Sequence, residues 1–284
     1  MIGRTSFPMK VKKWNLRQRT LAVTILSFTL LAGMIGSGIL IGPEKMGVDF
    51  LSKYLPPSFT HPFGTDWLGR DMLTRTLKGL TLSFSVGLLA STVSTFIALI
   101  LSLLCSVNKK LDAVVTWFID LFLSVPHIVI LILISFAAGG GFKGVVIGLA
   151  LTHWPSLTRL LRAEVLQLKN TDYVAVSKAF GKSRMWIARH HLLPHLVPQL
   201  IVGFILLFPH AILHEAAITF LGFGLSSEVP AIGIILSESM RYLATGMWWL
   251  AFFPGLALLV MVSIFDLLGR SIRKLIDPFH GQKL

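Results

Sequence analysis

Residues 167–195, QLKNTDYVAVSKAFGKSRMWIARHHLLPH, form the longest basic and polar interruption in the second half of a chain otherwise built of apolar runs. The stretch carries five Lys or Arg against the single Asp172. Charged side chains within a bilayer are costly and must be paired or hydrated. A segment this basic therefore marks an aqueous loop between membrane spans, and it is long enough to dock a partner.

The apolar runs on either side set the class. Of 284 residues 54% are apolar and 14% charged, whereas a soluble domain carries about 25% charged residues. Stretches of roughly 20 residues with few charges recur, the length a helix needs to cross hydrocarbon. Helices are the default for such spans, because a segment in lipid must satisfy its own backbone hydrogen bonds. The single cysteine, Cys105, excludes a disulfide framework and a cysteine metal cluster.

Taken in order, residues 1–20 form a basic N-terminal tail and residues 21–284 a single membrane domain. The first span covers 21–41; it is longer than the core of a cleaved signal peptide and lacks a clear cleavage site. An external, Pro- and Gly-rich segment follows at 42–79. Spans 2, 3 and 4 are expected at 80–107, 114–138 and 145–166, span 5 at 196–221 and span 6 at 247–268, with an external stretch at 222–246. This layout puts 19 Lys and Arg inside and 7 outside, so the positive-inside rule predicts six spans with both termini in the cytoplasm. The net charge of +13 is then mostly a topology signal. No compact basic patch with interleaved aromatics is left to suggest nucleic acid.

Within residues 167–195, Thr171 or Asp172 caps a helix in which Tyr173, Val176 and Phe180 share a face. Gly181 suits the left-handed position that ends it, and Lys182 follows. Ser183 caps a second piece that Leu193-Pro194 is expected to stop. The result is a short helix with an apolar ridge among Lys178, Lys182 and Arg184. It would either lie on anionic lipid or insert into a groove on a soluble partner.

The spacing of Ala175-Val176-Ser177, Gly181 and Leu193-Pro194 resembles the cytoplasmic EAA loop of bacterial ABC-importer permeases, with Ala175 where that loop usually carries Glu. HPFGTDWLGRD at 61–71 is similar to the external signature of C-type permease subunits of the peptide/nickel importer family. DLFLSVP from Asp120 to Pro126, TFLGFG at 219–224 and Asp277-Pro278 match it in the same order. The resemblance covers residues 60–280. It implies an all-α membrane protein with the type I ABC-importer permease fold, in the bacterial inner membrane. It also implies a second permease subunit, two ATPase subunits and a substrate-binding protein as partners. ATP and Mg would be bound by the ATPases, with no cofactor or catalytic residue in this chain. Asp172, Tyr173, Val176, Phe180, Gly181, Lys182, Leu193 and Pro194 would then couple ATPase closure to the spans. Gly181-Lys182-Ser183 is no phosphate loop: the first glycine of that motif would fall at Val176, and no strand precedes it.

Two features bear on cargo. His210, His214 and Glu215 fall within one span, in PHAILHEAAITF. The zinc-protease reading fails because Ile218 stands where the second histidine of His-Glu-x-x-His belongs. His210 and His214, one turn apart, instead suggest transient contact with a divalent metal or its chelate, and with Asp120 and Glu215 they outline a candidate translocation path. The H-x-x-x-H spacing resembles the nickel-type branch, so nickel, cobalt or another divalent metal is expected ahead of a di- or oligopeptide. A proton-driven secondary transporter working through Glu215 and Asp120 would show inverted repeats and paired broken helices, which the sequence does not display. Asp120 is expected to pair with a basic residue of a neighbouring helix. His127 and the His153-Trp154-Pro155 phrase are weaker signals. Gly64, Asp66, Gly69, Arg70 and Asp71 mark the external motif, either a self-satisfied turn leading into a helix near Leu68 or a docking surface for a delivery protein.

Overall fold

A computed structural model describes residues 15–276, so the tail residues up to 14 and the Asp277-Pro278 pair lie outside the described residues. Among the described residues the architecture is helical, and no strand is present. Helix α1 (Leu16–Leu40) opens on an Asn15–Gln18 capping box, with the Asn15 N–H donated to Gln18 Oε1 at 3.1 Å. Two short 3-10 turns cross the external segment before α2 (Met72–Cys105) begins under the cap of Asp71.

Helices α3 (Lys109–Ser124) and α4 (His127–Ala137) come next, followed by α5 (Gly141–Lys169) and then α6 (Asp172–Ala179) and α7 (Arg184–Ile187) in the polar loop. The chain finishes with α8 (Leu193–Phe220), α9 (Ile232–Leu243) and α10 (Trp249–Ile276).

Four helical segments are long and apolar enough to cross a membrane, and the bent α3–α4 pair makes a fifth if it counts as one span. The expected third span is therefore not a single helix. It breaks at Val125-Pro126 and turns by 102°. Proline removes a backbone donor and pushes the residue before it towards extended geometry, and Val125 adopts that geometry with ψ 139°. The fourth expected span lies within α5, which has the length but carries Lys143, Arg159, Arg162 and Glu164.

The expected stop at Leu193-Pro194 is also overturned. The backbone passes from α7 through a π turn at Ala188–Leu192 directly into α8. Pro194 cannot donate to residue 190, and the wider turn upstream accommodates the missing bond. Helix α2 starts at Met72 rather than near Leu68. The external stretch before span 6 contains a helix, α9, which the sequence reading did not include.

Helices α2, α5, α8 and α10 build the interior. Met72, Leu80, Phe208, Ile212 and Met261 fill the zone between α2, α8 and α10. Ile119, Leu161, Leu192 and Leu196 fill a second zone towards the polar loop. Small residues let the backbones approach, as is usual where helices pack within lipid. Side chains added at Gly87, Gly203 or Gly269 would run into Ile212, Leu157 or Ile205. Buried hydroxyls cross between helices: Ser94 Oγ donates to the Ala150 carbonyl at 2.7 Å, and Ser239 Oγ to the Leu250 carbonyl at 2.8 Å. Gly87→Val, which wedges α2 off α8 at Ile212, is expected to cost about 1–3 kcal/mol, read as a lowered thermal midpoint of the purified chain.

Candidate functional site

The polar loop is built as an exposed ridge on a buried foot. In α6 Val174 is fully buried, whereas Tyr173, Val176 and Phe180 are exposed, Phe180 at 79%. Met185 of α7, which the sequence reading did not single out, is likewise exposed, at 78%. Gly181 ends the helix with φ +73°, a conformation that side chains rarely adopt. Ser183 caps α7 by accepting the Trp186 N–H at 3.2 Å.

Three contacts hold the foot. Ser177 Oγ lies 2.8 Å from His191 Nε2, tying α6 to the π turn. Lys169 Nζ donates to the Ser106 carbonyl at 2.7 Å, and Arg184 donates to the Val107 carbonyl at 2.6 Å. The loop is thus anchored to the turn between α2 and α3, where Arg162 also grips Asp112 through two bonds of 2.5 and 2.7 Å. Lys182 stands over the Trp186 ring at 4.9 Å.

The external motif folds around one carboxylate. Asp66 is fully buried and accepts from the backbone N–H groups of Leu68 and Arg70, each at 2.9 Å. Its other oxygen accepts from Arg70 Nε at 2.7 Å and from Arg75 at 2.8 Å. Arg75 then reaches Glu238 in α9 at 2.9 Å. Gly69 sits at φ +75°, with its α-carbon pressed against the Asp49 carbonyl where a side chain would collide. Asp71 caps α2 through the Thr74 N–H at 2.8 Å and also contacts His61 at 3.1 Å. Asp49 caps the turn before it, and the Ser52 hydroxyl and Leu51 N–H hold its carboxyl below the usual carboxylate range. The turn is self-satisfied, and Glu238, distant in sequence, completes it.

The candidate path residues separate. Asp120 pairs with Arg159 at 2.6 Å, as expected of a basic neighbour, and both side chains are more than half exposed. Glu215 is fully buried; one oxygen accepts from Thr219 Oγ1 at 3.0 Å, while Oε2 has no partner. Thr219 Oγ1 in turn accepts the Leu225 N–H at 3.2 Å, which folds the TFLGFG turn back onto the end of α8.

His210 and His214 do not converge, their ring centroids standing 6.5 Å apart. His214 meets His127 of α4 and His153 of α5 instead, at 4.4 and 5.2 Å, and those two rings are 4.6 Å apart. The sequence reading did not bring these three residues together. The only local signal was that His127 follows Pro126 and His153 lies two before Pro155 in otherwise apolar helices.

The family described as "Binding-protein-dependent transport system inner membrane component" matches residues 94–279. The chain belongs to this family. Among similar proteins, the dipeptide transport system permease protein DppC of Bacillus subtilis (strain 168) is 31% identical over 98% of this chain and 88% of its own length. The probable D,D-dipeptide transport system permease protein DdpC of Escherichia coli (strain K12) is 32% identical over 95% of this chain and 91% of its own. In fold, the chain resembles the inward-facing MetNI methionine ABC transporter, with a TM-score of 0.61 and 19% identity over 72% of this chain and 98% of that one. The chain is therefore a multi-pass inner-membrane permease of an ABC importer. These relatives do not support the expectation of nickel or another metal as cargo, since the names they carry are of dipeptide permeases.

Removing the carboxylate that organises the external turn leaves two buried or half-buried guanidinium groups short of a partner. Asp66→Ala is expected to cost about 3–5 kcal/mol, seen as loss of folded chain in the membrane fraction or a collapse of its thermal midpoint, with Asp66→Asn in between.

Proposed function

We propose that this chain is one of two membrane-spanning subunits of an ATP-driven importer of di- or oligopeptides. The observation that carries the substrate class is the likeness to dipeptide permeases across nearly the whole chain, at 31% and 32% identity. In this reading the domain extends over residues 21–284, and six spans cross the membrane, with α3–α4 and α5 as the third and fourth. Both termini lie in the cytoplasm, on the basic side.

The polar loop is then the cytoplasmic docking element. Its exposed ridge of Tyr173, Val176 and Phe180 suits an apolar groove on an ATPase subunit, the helix-in-groove mode of recognition. Gly181, Lys182, Leu193 and Pro194 shape the foot from which that ridge projects. Asp172, as the first residue of α6, complements the positive end of the helix. A substrate-binding protein delivers the peptide on the opposite face, beside the turn built on Gly64, Asp66, Gly69, Arg70 and Asp71. ATP is hydrolysed by the partner subunits.

Uptake of a labelled dipeptide and of labelled nickel, compared in cells with and without this chain, tests the substrate class. Loss of dipeptide uptake alone is the expected result, and loss of nickel uptake alone would overturn it. Phe180→Asp is expected to lower both recovery of the ATPase with the chain and dipeptide uptake by about tenfold or more, while the variant still reaches the membrane. Full uptake by that variant would remove the docking role.

A further inference from the structure

We propose that Lys169, Lys178, Lys182 and Arg184 form a binding site for the phosphate group of one anionic phospholipid, in the cavity between the polar loop and the turn that joins α2 to α3. The inference goes beyond the importer reading, since it concerns a lipid rather than the cargo, and it stands whichever cargo the pump carries.

All four side chains line one cavity of about 430 Å3. Lys169 Nζ donates to the Ser106 carbonyl and Arg184 to the Val107 carbonyl, so bonds to two consecutive residues bring these cations together. Lys178 Nζ reaches the Lys169 carbonyl at 3.4 Å, and Lys182 stands over the Trp186 ring. Lysine and arginine carry several N–H donors each, so all four keep donors to spare. Other cations of the polar side are matched: Arg159 by Asp120, Arg162 by Asp112 and Arg270 by Asp266. Among the described residues no carboxylate is paired with any of the four in the cavity. Asp112, which attracts Lys169, already accepts two bonds from Arg162. Lys178 and Arg184 lie close enough to Lys169 to repel it. Like charges crowded around one cavity destabilise each other, and an anion held between them removes that cost.

The rest of the lining narrows the anion to a lipid. A guanidinium fork and ammonium groups match the oxygens of a phosphate, and the same cavity is also lined by Ile187 and Leu192, both buried in the protein. A phosphate carried on an acylated glycerol meets both kinds of surface, whereas inorganic phosphate meets only the charged one. Depth agrees. Ser106 and Val107 directly follow α2, which is long and apolar enough to cross a membrane. The cavity therefore lies where that helix leaves the apolar layer, at the level of the lipid headgroups. Basic pockets between helices at this level are where anionic headgroups bind.

The test uses the full chain in detergent, with native mass spectrometry reading how much phosphatidylglycerol and phosphatidylcholine stay bound when equal amounts of the two are added. One phosphatidylglycerol per chain is expected, retained in preference to phosphatidylcholine. Lys178→Gln/Lys182→Gln changes two exposed side chains and leaves the anchoring bonds of Lys169 and Arg184 in place; it should lower that retention about tenfold or more. Lys109→Gln/Lys110→Gln removes the same charge from the start of α3, outside the cavity, and should leave retention unchanged. Millimolar inorganic phosphate should not displace the lipid. Equal retention of both lipids by the unaltered chain, full retention by Lys178→Gln/Lys182→Gln, equal loss in the two double variants, or displacement by inorganic phosphate would each overturn the proposal.

Discussion

Every backbone N–H and C=O that a chain carries into an apolar layer must find its partner within the protein, and the places where a helix breaks are where that demand is hardest to meet. Between the breaks the helices satisfy themselves, and small residues such as Gly87 and Gly203 bring their backbones together. At the breaks the chain needs side chains. The turn after α8 is held by Thr219, which bridges Glu215 and the Leu225 N–H. The turn before α2 is held by Asp66, and the break at Val125-Pro126 opens onto the three histidines. Chemistry and irregular backbone coincide for this one reason.

The Asp66 cluster shows how a polar knot can hold a bundle end. One buried carboxylate receives four donors, two from backbone and two from Arg70 and Arg75. Arg75 passes the connection to Glu238 in α9, and Trp67 stacks on Tyr242 of the same helix at 5.1 Å. The external loop, the start of α2 and the helix before α10 are thereby fixed to each other. A buried ion cluster adds little to stability compared with an apolar replacement of equal volume, but it is severe about geometry and unforgiving of a missing member.

Much of this was legible in the residues. The apolar runs located the helices, Gly181 and Ser183 marked the ends of the loop helices, and the basic excess marked the loop itself. What the sequence hid was long-range or geometric. Pro126 signalled a kink, but its size, 102°, depends on how α4 packs against α5. Pro194 looked like a stop, yet a π turn absorbed it. Glu238 and Arg75 are 163 positions apart, and His127, His153 and His214 lie on three helices, so neither grouping has a spacing to read. His210 and His214 had the spacing but diverge, because His214 spends its Nδ1 on the His210 carbonyl and turns its ring the other way.

The segment from Arg184 to Phe220 behaves as one continuous rod, and this joins the two ends of the molecule. Ser183 lies at its start beside the exposed ridge, and His214 and Glu215 lie near its far end, about 45 Å away at 1.5 Å per residue. The bond of Ser177 to His191 ties α6 to this rod, and the bond of Arg184 to Val107 ties the start of the rod to the turn between α2 and α3. The π turn at the base is where the rod is least regular, and such turns mark positions that tolerate a change in helical register. A small rotation there would move His214 relative to His127 and His153, which are carried by other helices. The histidine meeting point is therefore formed between this rod and two helices that are not part of it.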